Sequence, residues 1–205
     1  MFDFNLTDEQ QLLKKEITRF AKRELNNGII ERDRNHEFSK ELWLKCGEMG
    51  LQGLPVPEKY GGSGLDPIST AIALEALGYG CEDGGLNFSI CAHLLACVIP
   101  IMKFASEEQK KKFLPKLCSG EYIAVNGITE AESGSDVYAM TSKASLYKDQ
   151  YIINGTKIWS SNGPVADIAV FYVKTNPDKG YYGGITGFIL EKGKGFVPGQ
   201  KLILC

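Results

Sequence analysis

The sequence lacks the features that mark several classes of protein. Its 205 residues carry a formal net charge of -2, so no excess of positive charge is present to attract nucleic acid or an anionic membrane. It has only two histidines, and its six cysteines form neither a CxxC pair nor the spacing of metal ligands. We therefore predict that it has no metal site and no nucleic-acid partner. We also find no internal repeat and no low-complexity segment.

Targeting signals are also missing. The first residues lead directly into a polar helical pattern, without the apolar core of a secretory signal peptide. Free thiols in a reducing cytosol are the simplest account of the cysteines, so we expect a cytoplasmic protein. One apolar stretch, residues 86–104, barely reaches the length of a membrane span and contains polar residues. We predict that it is a buried central helix, apolar on all sides, rather than a membrane span.

Helix signals fill the first part of the chain. Capping residues precede helically spaced apolar residues at four positions: Thr7, Ser39, Asp66 and Ser106. The first of these helices is expected to stop at residues 26–28, and the third at about Leu77. Pro115 is expected to kink or end the fourth. His93, in the apolar stretch, is expected to be a hydrogen-bonded structural histidine.

The pattern changes to strands after Glu121. Short β-rich runs follow, with turn signals such as Lys148-Asp149 between them: residues 123–125, 144–147, 151–153, 158–159, 169–173 and 185–190. Five or six short strands without intervening helices predict a small antiparallel barrel or sandwich. The fold class is therefore α+β, with an all-α domain at residues 1–120 and a β-domain at residues 121–205. The run from Gly199 to Cys205 either completes the sheet or begins a strand that is cut short.

Two stretches carry the chemistry. Residues 126–136 form a turn rich in hydroxyl and acidic side chains, with Gly134 free to adopt a positive φ. Residues 151–163 form a strand, an Asn-Gly turn and a second strand, with Trp159 followed by two serines. An indole face beside hydroxyl groups suits a planar, polar-edged ring such as a flavin. The alternative is an ordinary hairpin with a core tryptophan.

The motifs resemble those of the acyl-CoA dehydrogenase family. The resemblance rests on Gly127-Ile-Thr-Glu-x-x-Ser-Gly-Ser-Asp136 and Ile153-Asn-Gly-x-Lys-x-Trp-x-Ser-Asn-Gly163, and it covers all 205 residues. Supporting segments are the Leu-Thr-x-Glu-Gln helix start, the Pro-Glu-x-Tyr-Gly-Gly loop and Gly-Ile-Thr-Gly-Phe-Ile near residue 184. The chain departs from the family pattern at Ala131-Glu132, where Pro-Gly is more usual, and at Ser161, where threonine is more usual.

The resemblance implies an FAD bound between the β-domain and a C-terminal four-helix domain that these residues do not include. Thr129 is expected to bond the pyrimidine side of the flavin, Trp159 to lie against the ring, and the Ser161 hydroxyl to approach N5. Ser135 is expected near the flavin phosphates or the CoA moiety. The full set of implied cofactor contacts is Asn126, Ile128, Thr129, Gly134, Ser135, Trp159, Ser160 and Ser161. Substrate contacts are implied at Ser135, Tyr182 and Gly183.

The implied reaction is the α,β-desaturation of an acyl thioester, with hydride transfer to flavin N5. The base that removes the α proton belongs to the family's C-terminal domain, so no catalytic residue is expected in this chain. The acids in the flavin motif (Glu130, Glu132 and Asp136) are expected to serve the turn instead. Implied partners are an acyl-CoA or acyl-carrier-protein thioester and an electron-transferring flavoprotein or other acceptor, and full-length relatives form homotetramers or dimers. Alternatives are an acyl-CoA oxidase, a dehydrogenase acting on carrier-protein thioesters, and a non-catalytic interaction module.

Overall fold

A computed structural model describes residues 5–179, 182–193 and 195–199. Two compact units divide these residues, one ending at Tyr122 and the other beginning at Ile123. The strand expected from Gly199 onward lies outside the described residues, apart from Gly199 itself.

Helices build the first unit. They are α1 (Asp8–Glu24), α2 (Ile29–Arg34), α3 (Lys40–Glu48), α4 (Pro67–Gly80), α5 (Gly84–His93), α6 (Ile99–Phe104) and α7 (Glu107–Cys118). A π-helical segment, Leu94–Val98, joins α5 to α6.

The predicted helix starts are confirmed at atomic detail. Thr7 and Ser106 each form a complete capping box with the glutamine three residues later. The side chains of Ser39 and Asp66 accept hydrogen bonds from backbone N–H groups in the first turns of α3 and α4. Each cap satisfies a donor that the helix cannot, which stabilises the helix by about 1 kcal/mol.

The predicted helix ends are less accurate. Sequence reasoning missed α2, which begins at Ile29, directly after the predicted stop, with Gly28 as its N-cap in a left-handed conformation. Helix α4 continues past Leu77 to Gly80, and α7 continues through Pro115 to Cys118. Propensity is a weak guide here, because tertiary packing overrides single unfavourable residues.

The apolar stretch forms the continuous helix 84–104, as predicted, but it is buried on one side only. Its buried side chains include Leu86, Ile90, Leu94, Cys97 and Ile101. Phe88 and Leu95 are 64% and 49% exposed, so the expectation of burial on all sides is wrong. Among the described residues this is the one helix long and apolar enough to cross a membrane, by a test that core helices also pass.

A buried aromatic pair lies in the core of the helical unit. Trp43 is fully buried, and its indole N–H donates to the carbonyl oxygen of Gly120 at 2.9 Å. His93 packs edge-on against the indole, and its Nε2 lies 3.1 Å from the carbonyl oxygen of Leu117. The prediction of a hydrogen-bonded structural histidine is therefore confirmed.

The second unit contains one five-stranded sheet. Its strands are β1 (Ala124–Gly127), β2 (Lys143–Tyr147), β3 (Gln150–Asn154), β4 (Ile168–Lys174) and β5 (Ile185–Glu191). Strand β4 is central: it pairs in parallel with β1, in antiparallel with β5, and at its last residue with β2. Strands β2 and β3 form a hairpin around the predicted turn at Lys148-Asp149.

The helical-then-sheet order is confirmed, but the sheet is mixed rather than antiparallel. Parallel pairing of β1 and β4 is possible because about forty residues separate them, and a parallel connection needs a dozen or more. Among the described residues no pairing joins β3 back to β1, so closure into a barrel is not confirmed. The predicted strand at residues 158–159 is wrong, because the chain after Asn154 forms a loop.

Candidate functional site

The structure brings the two motifs into direct contact. The first continues from the end of β1, and the second follows β3. The backbone N–H of Ile158 donates to the carbonyl oxygen of Thr129 at 2.9 Å. Ile158 was predicted to lie in a strand, but it makes this bond from a loop. It places Thr129 of the first motif beside the residue that precedes Trp159.

A buried ion pair joins the same two segments. Lys157 Nζ lies 2.7 Å from Glu130 Oε1, and their side chains are only 2% and 6% exposed. The ammonium also donates to the carbonyl oxygen of Ile128 at 3.1 Å. The other carboxylate oxygen of Glu130 accepts from the N–H and the hydroxyl of Thr141 at 2.6 and 2.7 Å. The N–H of Ser142 donates to Oε1 at 3.0 Å.

These contacts exclude Glu130 as a general base. Burial by itself raises the pKa of the carboxyl, but the hydrogen bonds from Lys157, Ser142 and Thr141 outweigh it. The pKa therefore lies far below its ordinary value. A carboxylate that holds so little affinity for a proton is a poor acceptor for the α proton of a thioester. The expectation that this acid serves the structure of the turn agrees with the geometry.

The rest of the first motif is a tight turn. Glu130 and Ser133 exchange backbone hydrogen bonds at 2.9 and 3.2 Å, which leaves Ala131 and Glu132 exposed at the tip. The departure from the family pattern at these two residues therefore adds a charge in solvent. Ser133 is buried, whereas Gly134 and Ser135 are exposed. Gly134 does not use the positive φ that its sequence context suggested.

Trp159 is presented at the surface in a strained conformation. Its φ is 56°, a value that bulky side chains rarely adopt, and its side chain is 65% exposed. Asn162 follows with a φ of 70°. An indole held outward by a strained, hydrogen-bonded loop contradicts the alternative of an ordinary hairpin with a core tryptophan. Strain of this kind is concentrated at functional sites.

The hydroxyls predicted to face a cofactor are available for one. Within the described part of the chain they have no protein hydrogen-bond partner: Thr129, Ser135, Ser160 and Ser161. Three of these residues are half-buried and Ser135 is exposed. Asn126 lies in β1 and Ile128 directly after it, both half-buried. Each of these hydroxyls can donate one hydrogen bond and accept others.

Tyr182 and Gly183 lie in the turn between β4 and β5. Tyr182 is 94% exposed and Gly183 has a φ of 100°. Because β1 runs parallel to β4, both strands finish at the same end of the sheet. The turn after β4 and the first motif after β1 therefore begin at that end. The described contacts do not join these two residues to the indole or to the free hydroxyls.

Across residues 5–179, 182–193 and 195–199, no group of three histidine, cysteine or acidic side chains is placed to hold a metal ion. The Lys157–Glu130 pair was missed by sequence reasoning. The partners are 27 residues apart, and no local pattern marks them as a pair.

Two family models match the chain. The model described as "Acyl-CoA dehydrogenase, N-terminal domain" matches residues 7–121. The model described as "Acyl-CoA dehydrogenase, middle domain" matches residues 126–202.

Individual relatives agree with these matches. The chain is 44% identical over 191 residues to L-prolyl-[peptidyl-carrier protein] dehydrogenase of Serratia sp., covering 93% of this chain and 49% of that protein. It is 41% identical over 199 residues to a short-chain-specific acyl-CoA dehydrogenase of Clostridium acetobutylicum, covering 97% and 52%. It is similar to a solved structure described as "PigA with FAD and proline", with a TM-score of 0.90, 44% identity and coverage of 94% and 50%. The chain thus spans about half the length of the relatives it matches.

Proposed function

Because this chain belongs to the acyl-CoA dehydrogenase family, we propose that it forms part of an FAD-dependent oxidoreductase that desaturates an acyl thioester between Cα and Cβ. The observation that carries the proposal is the joined pair of motifs, with an exposed Trp159 beside free hydroxyl groups. FAD, when bound, supplies the acceptor for the β hydride.

In this proposal the residues of this chain bind and orient the FAD and the substrate. The indole of Trp159 offers a rigid face for a flat ring, and its strained backbone fixes the direction of that face. Thr129 and Ser161 supply hydroxyls for the ring edge, and Asn126, Ile128, Gly134 and Ser160 complete the proposed contacts. Ser135, exposed at the turn, is assigned to the flavin phosphates or to the CoA moiety. Tyr182 and Gly183 are assigned to the substrate, on their shared edge of the sheet.

The base that removes the α proton is not assigned to any residue of this chain. Glu130 is held in its ion pair, and Glu132 points into solvent at the turn tip. Asp136 caps the short turn that follows it through the N–H of Tyr138. We therefore place the base outside these 205 residues, as the family resemblance implies.

The proposed substrate is a thioester, and two carriers are candidates. A carrier-protein thioester is favoured by the similarity to the prolyl carrier-protein dehydrogenase, and an acyl-CoA by the similarity to the short-chain enzyme. The proposed electron acceptor is an electron-transferring flavoprotein, with molecular oxygen as the oxidase alternative. A cytoplasmic location, a domain boundary near residue 120 and assembly into dimers or tetramers also stay predictions.

Titration with FAD tests the cofactor proposal. Calorimetry on the full-length protein is expected to show one FAD per subunit, and Trp159→Ala is expected to weaken binding by roughly tenfold, because it removes the aromatic face. Tyr147→Ala is the matched control, since Tyr147 is a 60% exposed aromatic residue in β2, away from the motifs. Absence of FAD binding, or an equal effect of both substitutions, contradicts the proposal.

Anaerobic mixing of the FAD-loaded full-length enzyme with thioesters tests the reaction. Bleaching of the flavin by butyryl-CoA or by a prolyl carrier protein identifies the substrate carrier. Formation of hydrogen peroxide in air, set against reduction of an electron-transferring flavoprotein, separates an oxidase from a dehydrogenase.

A further inference from the structure

Three stretches of chain meet at the buried ammonium group of Lys157. The first is the turn after β1, which contributes the carbonyl oxygen of Ile128 and the carboxylate of Glu130. The second is the segment before β2, where Met140 Sδ lies 3.8 Å from Nζ. The third is the loop after β3, which carries Lys157 itself. The ring of Phe171 in β4 faces the same ammonium, with its centroid 5.5 Å away.

The position of the ion pair in the chain relates it to the proposed flavin contacts. Glu130 directly follows Thr129, and Lys157 lies two residues before Trp159. The hydrogen bond from Ile158 to Thr129 connects the two segments between these positions. We propose that Glu130 and Lys157 are positioning residues, which fix the indole of Trp159 relative to Thr129 so that both meet one flavin. This inference rests on the function proposed above.

The energetics of burial support a fixed geometry. A buried charge that loses its partner is strongly unfavourable, so neither side chain can leave the pair without a large penalty. The carboxylate has three further donors from Thr141 and Ser142, which fix it against the segment that leads into β2. These bonds hold Glu130 at the start of β2. The ion pair with Lys157 in turn holds the loop that bears the indole. The side chain of Trp159 is 65% exposed, so packing against the core does not hold it in place to the same degree.

The predicted consequence is that loss of the pair releases the indole before it unfolds the sheet. The test uses Lys157→Met and Glu130→Gln in the 205-residue chain. Matched controls are Lys143→Met and Glu132→Gln, which alter exposed residues of the same charge in β2 and at the turn tip. Circular dichroism first establishes the folded fraction of each variant.

Time-resolved fluorescence anisotropy of Trp159 is the first measurement. The signal is isolated by subtracting that of Trp159→Phe, which leaves only Trp43. In folded Lys157→Met the local correlation time of the indole is expected to fall by at least about twofold, because an unpaired buried carboxylate forces the turn and the loop apart. Glu130→Gln, which keeps the shape but removes the charge, is expected to give a smaller change in the same direction. The controls are expected to match the parent.

FAD affinity, measured with the same substitutions in the full-length protein, is the second measurement. Lys157→Met is expected to raise the Kd for FAD by roughly tenfold or more, and the controls by less than about twofold. A folded Lys157→Met with parental anisotropy overturns the inference, whatever FAD does. If Lys157→Met does not fold, Glu130→Gln decides in the same way. A full-length parent protein that binds no FAD refutes the proposed function alone, since the anisotropy measurement needs no cofactor.

Discussion

The imidazole of His93 stands edge-on to the indole of Trp43, with ring centroids 5.0 Å apart and an interplanar angle of 85°. Both side chains are fully buried. Burial lowers the pKa of His93 to about 4, against the opposing effect of its hydrogen bond to Leu117, and the charge of Lys40 lowers it further. The neutral imidazole is therefore the form that the helical core accommodates.

This arrangement predicts an acid-sensitive helical unit. The unfolded chain binds a proton at His93 at an ordinary pKa of about 6.5, whereas the folded chain binds it only near 4. The stabilisation is thus complete above pH 6.5 and is lost as pH falls toward 4, by a total of about 3 kcal/mol. Urea unfolding at a series of pH values should show this slope, and His93→Gln should flatten it. An unchanged slope in His93→Gln contradicts the assignment.

Glu130 predicts a second acid transition at lower pH. Its folded-state pKa is depressed, so its contribution to stability is present above the unfolded pKa of about 4.5. That contribution falls progressively as pH drops below this value. Near-ultraviolet circular dichroism of the indole and tyrosine signals should report loss of the β-unit between pH 4.5 and the acid limit. In Glu130→Gln the parental dependence in this window should disappear, while Glu132→Gln should retain it.

The positive φ of Trp159 predicts an inverted order of stabilities. At an ordinary strand position glycine is less stabilising than alanine by roughly 0.5–1 kcal/mol. At a φ of 56° a Cβ atom costs roughly 1–2 kcal/mol, so Trp159→Gly should equal or exceed Trp159→Ala in free energy of unfolding. Urea denaturation measures both. Tyr147→Gly and Tyr147→Ala, in an extended strand, should show the normal order.

A side chain at position 155 is expected to clash with Ser142, and a second substitution at Ser142 is expected to relieve the clash. A Cβ at this position would lie 2.0 Å from Ser142 Oγ and 2.3 Å from its Cβ. Gly155→Ala should therefore lower the free energy of unfolding by roughly 2 kcal/mol or more. Ser142→Gly removes both of those atoms, so the double variant should recover part of the loss. Additive effects in the double-mutant cycle would show that the two residues do not meet.

Local signals predicted the helical part of the fold well. A capping residue acts on the N–H groups of its own first turn, so Thr7, Ser39, Asp66 and Ser106 could be identified without tertiary information. Helix ends depend on packing, which explains the missed α2 and the extension of α7 beyond Pro115.

Non-local contacts were beyond the reach of sequence patterns. The parallel pairing of β1 with β4 joins residues separated by a hairpin and two loops, and nothing in either strand specifies its direction. The loop at Trp159 was predicted as a strand because Ile158 and the indole are typical strand residues. The motifs did mark the two stretches that the bond between Ile158 and Thr129 joins. They did not predict the ion pair that joins them, since an Asn-Gly-x-Lys sequence contains no information about a carboxylate 27 residues away.

The π-helical segment Leu94–Val98 changes the phase of the long helix 84–104, which matters when this helix is aligned with a regular helix or redesigned. The N–H of Ile99 bonds to the carbonyl of Leu94, five residues back, and the next residue is Pro100, which has no N–H to give. The extra residue rotates everything after it by about 100° relative to a regular helix. Converting this turn to a regular α-turn without removing a residue would therefore rotate Ile101 out of the core, whereas deleting one residue here would keep Ile101 in phase.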